Sequence, residues 1–140
     1  MIDVFSYKDI TFPKNFKWGV TTSAMQVEGG NHSFYDDEET APKFAYGGVS
    51  YKMAGKAANS YELYEEDIKL IKTMNLNSYR LSIEWSRIEP SEGVFNEKET
   101  HYYINLLKRL KEENIEVVLT LHHFSHPVWF EKKGAFKTLD

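Results

Sequence analysis

Hydrophobic and polar positions recur along the chain with two different periods, and each period predicts one kind of element. Residues 59–74 and 97–114 carry apolar side chains at steps of three and four, which is typical of amphipathic helices. Residues 78–85 alternate between apolar and polar side chains, as a strand with one buried face does. Residues 116–123 form a nearly continuous apolar run, which predicts a parallel strand buried on both faces.

The N-terminal part of the chain predicts one more strand and a long connection. Residues 16–26 are aromatic and β-branched, and we expect a strand there. Residues 27–58 show no clear period and contain two Gly-Gly pairs, a proline and an acidic run, which indicate a long loop.

Both predicted helices have a starting signal of the same kind. Asn59 is followed three residues later by Glu62, and Asn96 by Glu99. An asparagine at the N-cap with a glutamate three positions on resembles a capping box, in which each side chain hydrogen-bonds to the backbone at the other position. We therefore expect Asn59 and Asn96 to cap the two helices.

The order strand, helix, strand, helix, strand is that of an α/β protein with parallel strands. It is compatible with an open doubly wound sheet or with a (β/α)8 barrel. A nucleotide-binding sheet carries closely spaced glycines at its first strand-to-helix turn, whereas no GxGxxG or GxxxxGK[ST] motif occurs in this chain. We therefore predict that residues 1–140 are the first three βα units of a single, incomplete (β/α)8 TIM barrel.

Composition excludes several function classes. The chain has no cysteine, which excludes disulfides and thiolate chemistry, and its net charge is −4 with basic residues scattered. This distribution does not favour a nucleic-acid partner. Residues 1–14 lack the apolar core of a signal peptide, and no segment is long and apolar enough to cross a membrane. We therefore expect no membrane partner and a cytoplasmic location.

Polar side chains close all three predicted strands. Gln26, Glu84 and His123 stand at their carboxyl ends, which form the active-site rim of a barrel. Arg80 and Ser82 lie on the same polar face of the second strand as Glu84, and that face is predicted to point into the barrel. A buried arginine requires a carboxylate nearby. The partner is either another carboxylate near the strand end or, as a purely structural alternative, Glu84 itself.

Three histidines, at positions 122, 123 and 126, raise the question of a metal site. Adjacent strand residues point to opposite faces, so His122 and His123 cannot easily bind one ion. No HExxH or similar spacing occurs, and a histidine at a strand end more often serves as a hydrogen-bonding residue. We predict no metal ion and no other cofactor.

Several stretches resemble motifs of glycoside hydrolase family 1, the retaining β-glycosidases that include the β-glucosidases. FKWGVTTSAMQVEGG at 16–30 is similar to the N-terminal signature of the family. YRLSIEWSRIEP at 79–90 and LTLHHFSHPVWF at 119–130 are similar to its second-strand and third-strand motifs. Further matches are Tyr61, Tyr64, Glu66 and Asp67 in the first helix and the run Lys133-Gly134-Ala135-Phe136 after the third motif.

The resemblance implies a (β/α)8 barrel that hydrolyses β-linked glycosides or oligosaccharides with retention of configuration. It implies that Gln26 and His123 hydrogen-bond to hydroxyls of the substrate sugar and that Phe124 lies in the same subsite. It also implies that Arg80 orients the nucleophilic glutamate and, as an opposite charge, keeps it ionised. Departures from the family pattern affect sugar preference more than membership: Met25, Phe124, Ser125, His126 and Phe136.

Both catalytic glutamates of the family belong to motifs that this chain lacks. The acid/base lies in T-x-N-E-P and the nucleophile in E-N-G, and neither motif occurs in the 140 residues. Glu28, Glu84 and Glu131 stand outside matching motifs, so we assign no catalytic residue to this chain. We expect the isolated chain to be inactive and to be insoluble or to need the remaining part of the barrel, supplied as a second chain.

Two other functions are compatible with the sequence. The chain could be a non-catalytic carbohydrate-binding protein that retains Gln26 and His123. A continuation that encodes T-x-N-E-P and E-N-G, in frame or as a neighbouring gene, would exclude this alternative. It could also be a different barrel hydrolase that uses its histidines with a metal, and that enzyme would lose activity with a chelator.

Overall fold

Three parallel strands form one sheet, in the order in which they occur along the chain. The computed structural model describes residues 11–40 and 55–137. The strands are β1 (Gly19–Thr21), β2 (Ser78–Ser82) and β3 (Glu116–Thr120). The helices are α1 (Ala24–Val27), α2 (Ser60–Thr73), α3 (Trp85–Ile88), α4 (Glu97–Glu112) and α5 (Val128–Lys132), followed by a 3₁₀ turn (Ala135–Lys137). None of the helices in these two ranges is long and apolar enough to cross a membrane.

The register of the sheet depends on a close approach between β1 and β2. Thr21, Arg80 and Val118 are partners across the three strands. Gly19 pairs with Ser78, and a Cβ atom at Gly19 would lie 2.6 Å from the Ser78 carbonyl oxygen. Only glycine therefore fits at this position without moving the backbone of β2.

The core lies between the sheet and the two long helices. It consists of Ile68 and Ile71 from α2, Tyr79 and Leu81 from β2, Leu106 and Leu110 from α4, and Ile115. Arg80, between the two buried β2 residues, is exposed on the other face of the sheet. The prediction that the apolar face of the second strand packs on the helices is therefore confirmed.

Both long helices end in the same way, with an asparagine in the left-handed conformation. Asn75 after α2 has φ 55° and Asn114 after α4 has φ 58°. At the end of α4, the Ile115 N–H then donates to the Leu110 carbonyl oxygen at 3.0 Å. This is the hydrogen bond of a Schellman motif, and it directs the chain from the helix into β3 with Ile115 and Leu110 both buried.

Only one of the two predicted helix caps forms. The Asn96 side chain accepts hydrogen bonds from the N–H groups of Lys98 at 3.1 Å and Glu99 at 3.3 Å, which confirms the second cap. Asn59 makes no side-chain cap, so that prediction is wrong. Its φ of 57° lies in the left-handed region, whereas capping side chains require an extended N-cap residue.

The strands are shorter than predicted, and two short helices follow them. The strand predicted over 16–26 is a strand only at Gly19–Thr21, and Gln26 lies in α1. The strand predicted over 78–85 ends at Ser82, and Glu84 is the N-cap residue of α3. At each helix start a side chain accepts from a first-turn N–H group, Ser82 Oγ from Ala24 and Glu84 Oε1 from Ser86, and strand periodicity alone does not reveal these contacts.

The third strand is not buried on both faces. Within the described residues β3 pairs only with β2, and it leaves Val118 51% and Leu119 38% exposed. The prediction of burial on both faces is wrong because Val118, the β3 partner of Arg80, lies on the face of the sheet that the described part of the chain leaves open. Of the predicted loop 27–58, residues 41–54 lie outside the described residues.

Candidate functional site

The exposed face of the sheet carries a hydrogen-bonded pair at its carboxyl edge. Arg80, in β2, donates from Nε to Thr120 Oγ1 at 3.0 Å. Its Nη2 lies 3.2 Å from Nδ1 of His123, three residues beyond the end of β3. The structure therefore brings Arg80 and His123, two of the residues singled out in the sequence, into direct contact.

The carboxylate partner expected for Arg80 is not Glu84. No ion pair of Arg80 occurs among the described residues, and the Glu84 carboxylate is engaged by serine side chains instead. The alternative of a structural Arg80–Glu84 pair is therefore wrong. The guanidinium uses two of its five N–H donors on Thr120 and His123, which leaves three for another acceptor.

Gln26 lies at the same end of the sheet, in α1 directly after β1. The Ala24 N–H, at the start of α1, donates to Ser82 Oγ at 2.7 Å and so fixes α1 at the end of β2. Gln26 is exposed, and its Oε1 accepts a 2.6 Å hydrogen bond from Ser23 Oγ. Within the described ranges, no hydrogen bond joins Gln26 to Arg80 or His123.

Phe124 presents an open aromatic ring next to His123. Its φ of 53° lies in the left-handed region, and its side chain is 39% exposed. The ring makes an edge contact with His123 at a centroid distance of 4.7 Å and with Tyr35 at 6.1 Å. The partly exposed ring therefore lies beside His123, the histidine that contacts Arg80.

A buried polar network lies beneath this surface. The Tyr103 hydroxyl, from α4, donates to the Glu28 carboxylate at 2.9 Å and accepts from the Glu84 N–H at 3.0 Å. Arg87 Nε donates to Glu28 Oε2 at 3.0 Å, and Arg87 Nη2 donates to the Gly29 carbonyl. These contacts join the segment after β1 to α3 and α4.

Burial dominates the electrostatics of Glu28. The side chain is 6% exposed, and desolvation raises the pKa of its carboxyl from an ordinary 4.5 to about 7. The charge of Arg87 and the hydrogen bond from Tyr103 oppose this shift, whereas the nearby Glu84 adds to it. Burial, followed by the charge of Glu28, also raises the pKa of Tyr103, so the phenol stays protonated and can donate.

Glu84 is fully buried and links the ends of β2 and β3. Its Oε1 accepts from Ser86 Oγ at 2.8 Å, and its Oε2 accepts from Ser125 Oγ at 2.7 Å. The carboxylates of Glu84 and Glu28 are therefore both hydrogen-bonded inside the network. Neither carboxylate is free to react with a ligand at the open edge.

The other two histidines form a separate chain of contacts. His122 Nε2 lies 3.4 Å from His126 Nδ1, and His126 Nε2 lies 2.8 Å from Glu131 Oε2. His126 also stacks on Phe34 with the rings 4.1 Å apart. Among the described residues, no three His, Cys, Asp or Glu side chains are placed to hold a metal ion. His126 thus packs the segment after β3 against the segment after β1.

The family assignment rests on a match that spans nearly the whole chain. The profile of glycosyl hydrolase family 1 matches residues 8–140. The chain belongs to glycosyl hydrolase family 1. The resemblance inferred from the motifs is thereby confirmed.

Relatives of this family 1 chain are much longer than the chain itself. Beta-glucosidase A of Acetivibrio thermocellus is 38% identical over 135 residues, which are 94% of this chain and 30% of that protein. A solved beta-glycosidase from Pyrococcus horikoshii is 40% identical with a TM-score of 0.75, covering 89% of this chain and 28% of that one. A beta-glucosidase from Exiguobacterium marinum is 32% identical with a TM-score of 0.79, covering 91% and 29%. The chain thus spans about 30% of these relatives' lengths, and the prediction of an incomplete TIM barrel is confirmed.

Sequence reasoning missed two members of the buried network of the family 1 chain. The three-and-four apolar spacing of residues 97–114 puts Tyr103 on the apolar face of α4, where its ring does lie, but its hydroxyl reaches the Glu28 carboxylate and the Glu84 N–H. Arg87 stands within the quoted second-strand motif without an assigned role. The signal in the sequence was the charge of Arg87 within this largely apolar motif, because an arginine that is buried there requires hydrogen-bond acceptors.

Proposed function

We propose that the complete protein hydrolyses β-linked glycosides with retention of configuration, and that this chain provides the subsite for the sugar on the non-reducing side of the bond. The observation that carries the proposal is the Arg80–His123 pair at the carboxyl edge of a family 1 sheet. In barrels of this class, ligands bind at that edge.

The side chains around the pair suit a sugar ring. His123 and the exposed Gln26 offer hydrogen-bonding groups to hydroxyls, and the open ring of Phe124 offers an apolar surface to the flat face of a pyranose. A sugar ring has flat apolar faces and hydroxyl groups at its edge, so its binding site needs both an aromatic surface and hydrogen-bonding side chains. This combination supports Gln26, His123 and Phe124 as substrate-binding residues.

The reaction itself needs carboxylates from outside this chain. Retaining hydrolysis uses two carboxyl groups about 5–5.5 Å apart, one as nucleophile and one as acid/base. Glu28 and Glu84 are both engaged in internal hydrogen bonds, so neither is proposed for these roles. The three N–H donors that Arg80 does not use suit a nucleophilic glutamate supplied by a later part of the barrel, and a charge-assisted pair of this kind would keep that glutamate ionised.

A chimera tests the proposal. Residues 12–137 would replace the matching segment of beta-glucosidase A of Acetivibrio thermocellus, and the product would be assayed on a chromogenic β-glucoside. We expect turnover, with the β-anomer seen first by NMR. His123→Ala should reduce kcat/KM at least about a hundredfold, since a transition-state hydrogen bond is lost, whereas His101→Ala, on the exposed side of α4, should not.

The alternative of carbohydrate binding without catalysis predicts a different outcome. A soluble chimera that binds a β-glucoside with the affinity of the parent enzyme but does not hydrolyse it would favour that alternative. First release of the α-anomer would refute retention. The isolated chain is expected to show no activity on the same substrate.

A further inference from the structure

The contact between Arg80 and His123 determines which ring nitrogen carries the proton. Arginine has five N–H donors and no acceptor, so at the 3.2 Å contact Nη2 must donate and Nδ1 must accept. A neutral imidazole whose Nδ1 accepts carries its hydrogen on Nε2. This geometry therefore allows only the Nε2–H tautomer of neutral His123.

Arg80 is itself held in place for this task. Its Nε donates to Thr120 Oγ1, and Thr120 is the residue of β3 that pairs with Ser82 of β2. The planar guanidinium is thus fixed at Nε by β3 and at Cα by β2, and its orientation toward Nδ1 follows from the sheet register. On the other side of the ring, no hydrogen bond to Nε2 occurs within the described residues.

We propose that Arg80 is a positioning residue that makes His123 a hydrogen-bond donor to the ligand. Fixed as Nε2–H, the ring offers its proton to a lone pair of a sugar hydroxyl, and it discriminates against a ligand group that can only donate. This role rests on the proposed function for its ligand, and it is separate from any pairing of Arg80 with a nucleophile. The tautomer itself can be measured without substrate.

The chain contains an internal reference with the opposite tautomer. His101, on α4, has Nδ1 2.7 Å from the Glu97 carbonyl oxygen. A carbonyl oxygen only accepts, so His101 carries its hydrogen on Nδ1. The two histidines should therefore give opposite patterns in one spectrum.

The test is a long-range ¹⁵N–¹H correlation spectrum of the ¹⁵N-labelled chimera, in which the rest of the barrel is present, at about pH 8 where imidazoles are neutral. We expect the Nε2–H form of His123 in about tenfold or greater excess over its Nδ1–H form, because a charge-assisted hydrogen bond to Nδ1 stabilises the first form by the corresponding free energy. His101 should be in the Nδ1–H form. In Arg80→Met the His123 excess should fall to about threefold or less, while Arg109→Met, which removes an arginine that pairs with Glu65 of α2, should leave it unchanged.

Two results would overturn the proposal: His123 in the Nδ1–H form in the unmodified protein, or an unchanged excess in Arg80→Met. If Arg80→Met does not fold, Thr120→Val replaces it, since it removes the acceptor that orients the guanidinium; an unchanged excess there would overturn the proposal as well. A chimera without glycosidase activity would contradict the proposed function and leave the tautomer result intact, so the two failures are distinguishable.

Discussion

Glu84 Oε2 accepts a 2.7 Å hydrogen bond from Ser125 Oγ, and this contact joins the ends of β2 and β3. Glu84 is completely buried and Ser125 is 5% exposed. The bond lies next to the segment that carries His123 and Phe124, so the serine anchors the loop from which these side chains project. Without Ser125, this oxygen of the buried Glu84 carboxylate would lose its hydrogen-bond donor, and burying an unpaired charged group is unfavourable.

Ser125→Ala is therefore expected to lower the free energy of unfolding by about 1–3 kcal/mol, because one oxygen of Glu84 would stay buried without a hydrogen bond. Urea denaturation measures the loss. Ser91→Ala, at an exposed turn, is the matched control and should change stability by about 0.5 kcal/mol or less. Equal losses in the two variants would contradict a special role for the Glu84–Ser125 bond.

The raised pKa of Glu28 predicts a pH dependence of stability. The folded chain binds a proton up to about pH 7, whereas the unfolded chain releases it near 4.5. The contribution is thus fully present below 4.5 and is lost as pH rises through about 7, with stability falling over that interval. Integrated over the difference in pKa, the loss is about 3 kcal/mol.

Glu28→Gln should remove this dependence, because the amide does not titrate. The difference in unfolding free energy between the variant and the unmodified chain, measured at about pH 5 and about pH 8, should change by about 2.5 kcal/mol. Glu66→Gln, which alters an exposed ion pair with Lys69, should show no such change. A Glu28→Gln difference that is constant with pH would show that the carboxyl is ionised throughout.

Sequence periodicity was sufficient for the layout of the fold. The three-and-four spacing in α2 and α4 and the alternation in β2 reflect burial against a single core, so the order of elements and the face of each one follow from it. The two predicted helix caps have different outcomes. Asn96 caps α4, whereas Asn59 adopts a left-handed conformation that residue type alone does not distinguish from a cap.

The site could be predicted only in part, for a physical reason. Arg80 and His123 lie 43 positions apart, and their contact depends on the register of β2 and β3. Position at a strand end predicts that two side chains share an edge, but not which atoms meet. The alternative of a structural Arg80–Glu84 pair, which does not form, shows this, because the Glu84 carboxylate at the start of α3 is hydrogen-bonded to Ser86 and Ser125.

The core between α4 and the sheet makes a further prediction. Leu110 has no exposed surface, and it forms the hydrophobic end of the Schellman motif with Ile115. Leu110→Ala should cost about 2–5 kcal/mol in unfolding free energy, since a cavity replaces the lost side chain. Leu70, in α2, is 59% exposed, and Leu70→Ala should cost about 1 kcal/mol or less by the same denaturation measurement. Comparable losses would contradict the packing described for α4.

In the described part of the chain β3 has an open edge, which predicts association of the isolated chain. Val118 and Leu119 are 51% and 38% exposed, and Leu121, just beyond the strand, is 67% exposed. An uncovered parallel edge with exposed apolar side chains is a template for pairing with another chain. We expect sedimentation velocity to show assembly that increases with protein concentration.

A charge at this edge should weaken that association. Leu121→Lys adds a solvated cation where a second strand would approach, and the fraction of assembled protein at a given concentration should fall severalfold. Leu70→Lys is the matched control, because it makes the same change at a similarly exposed site on α2, away from the strand edge, and should leave the distribution unchanged. If the unmodified chain sediments as a monomer at all concentrations, or if the two lysine variants behave alike, β3 is not the surface through which the chain associates.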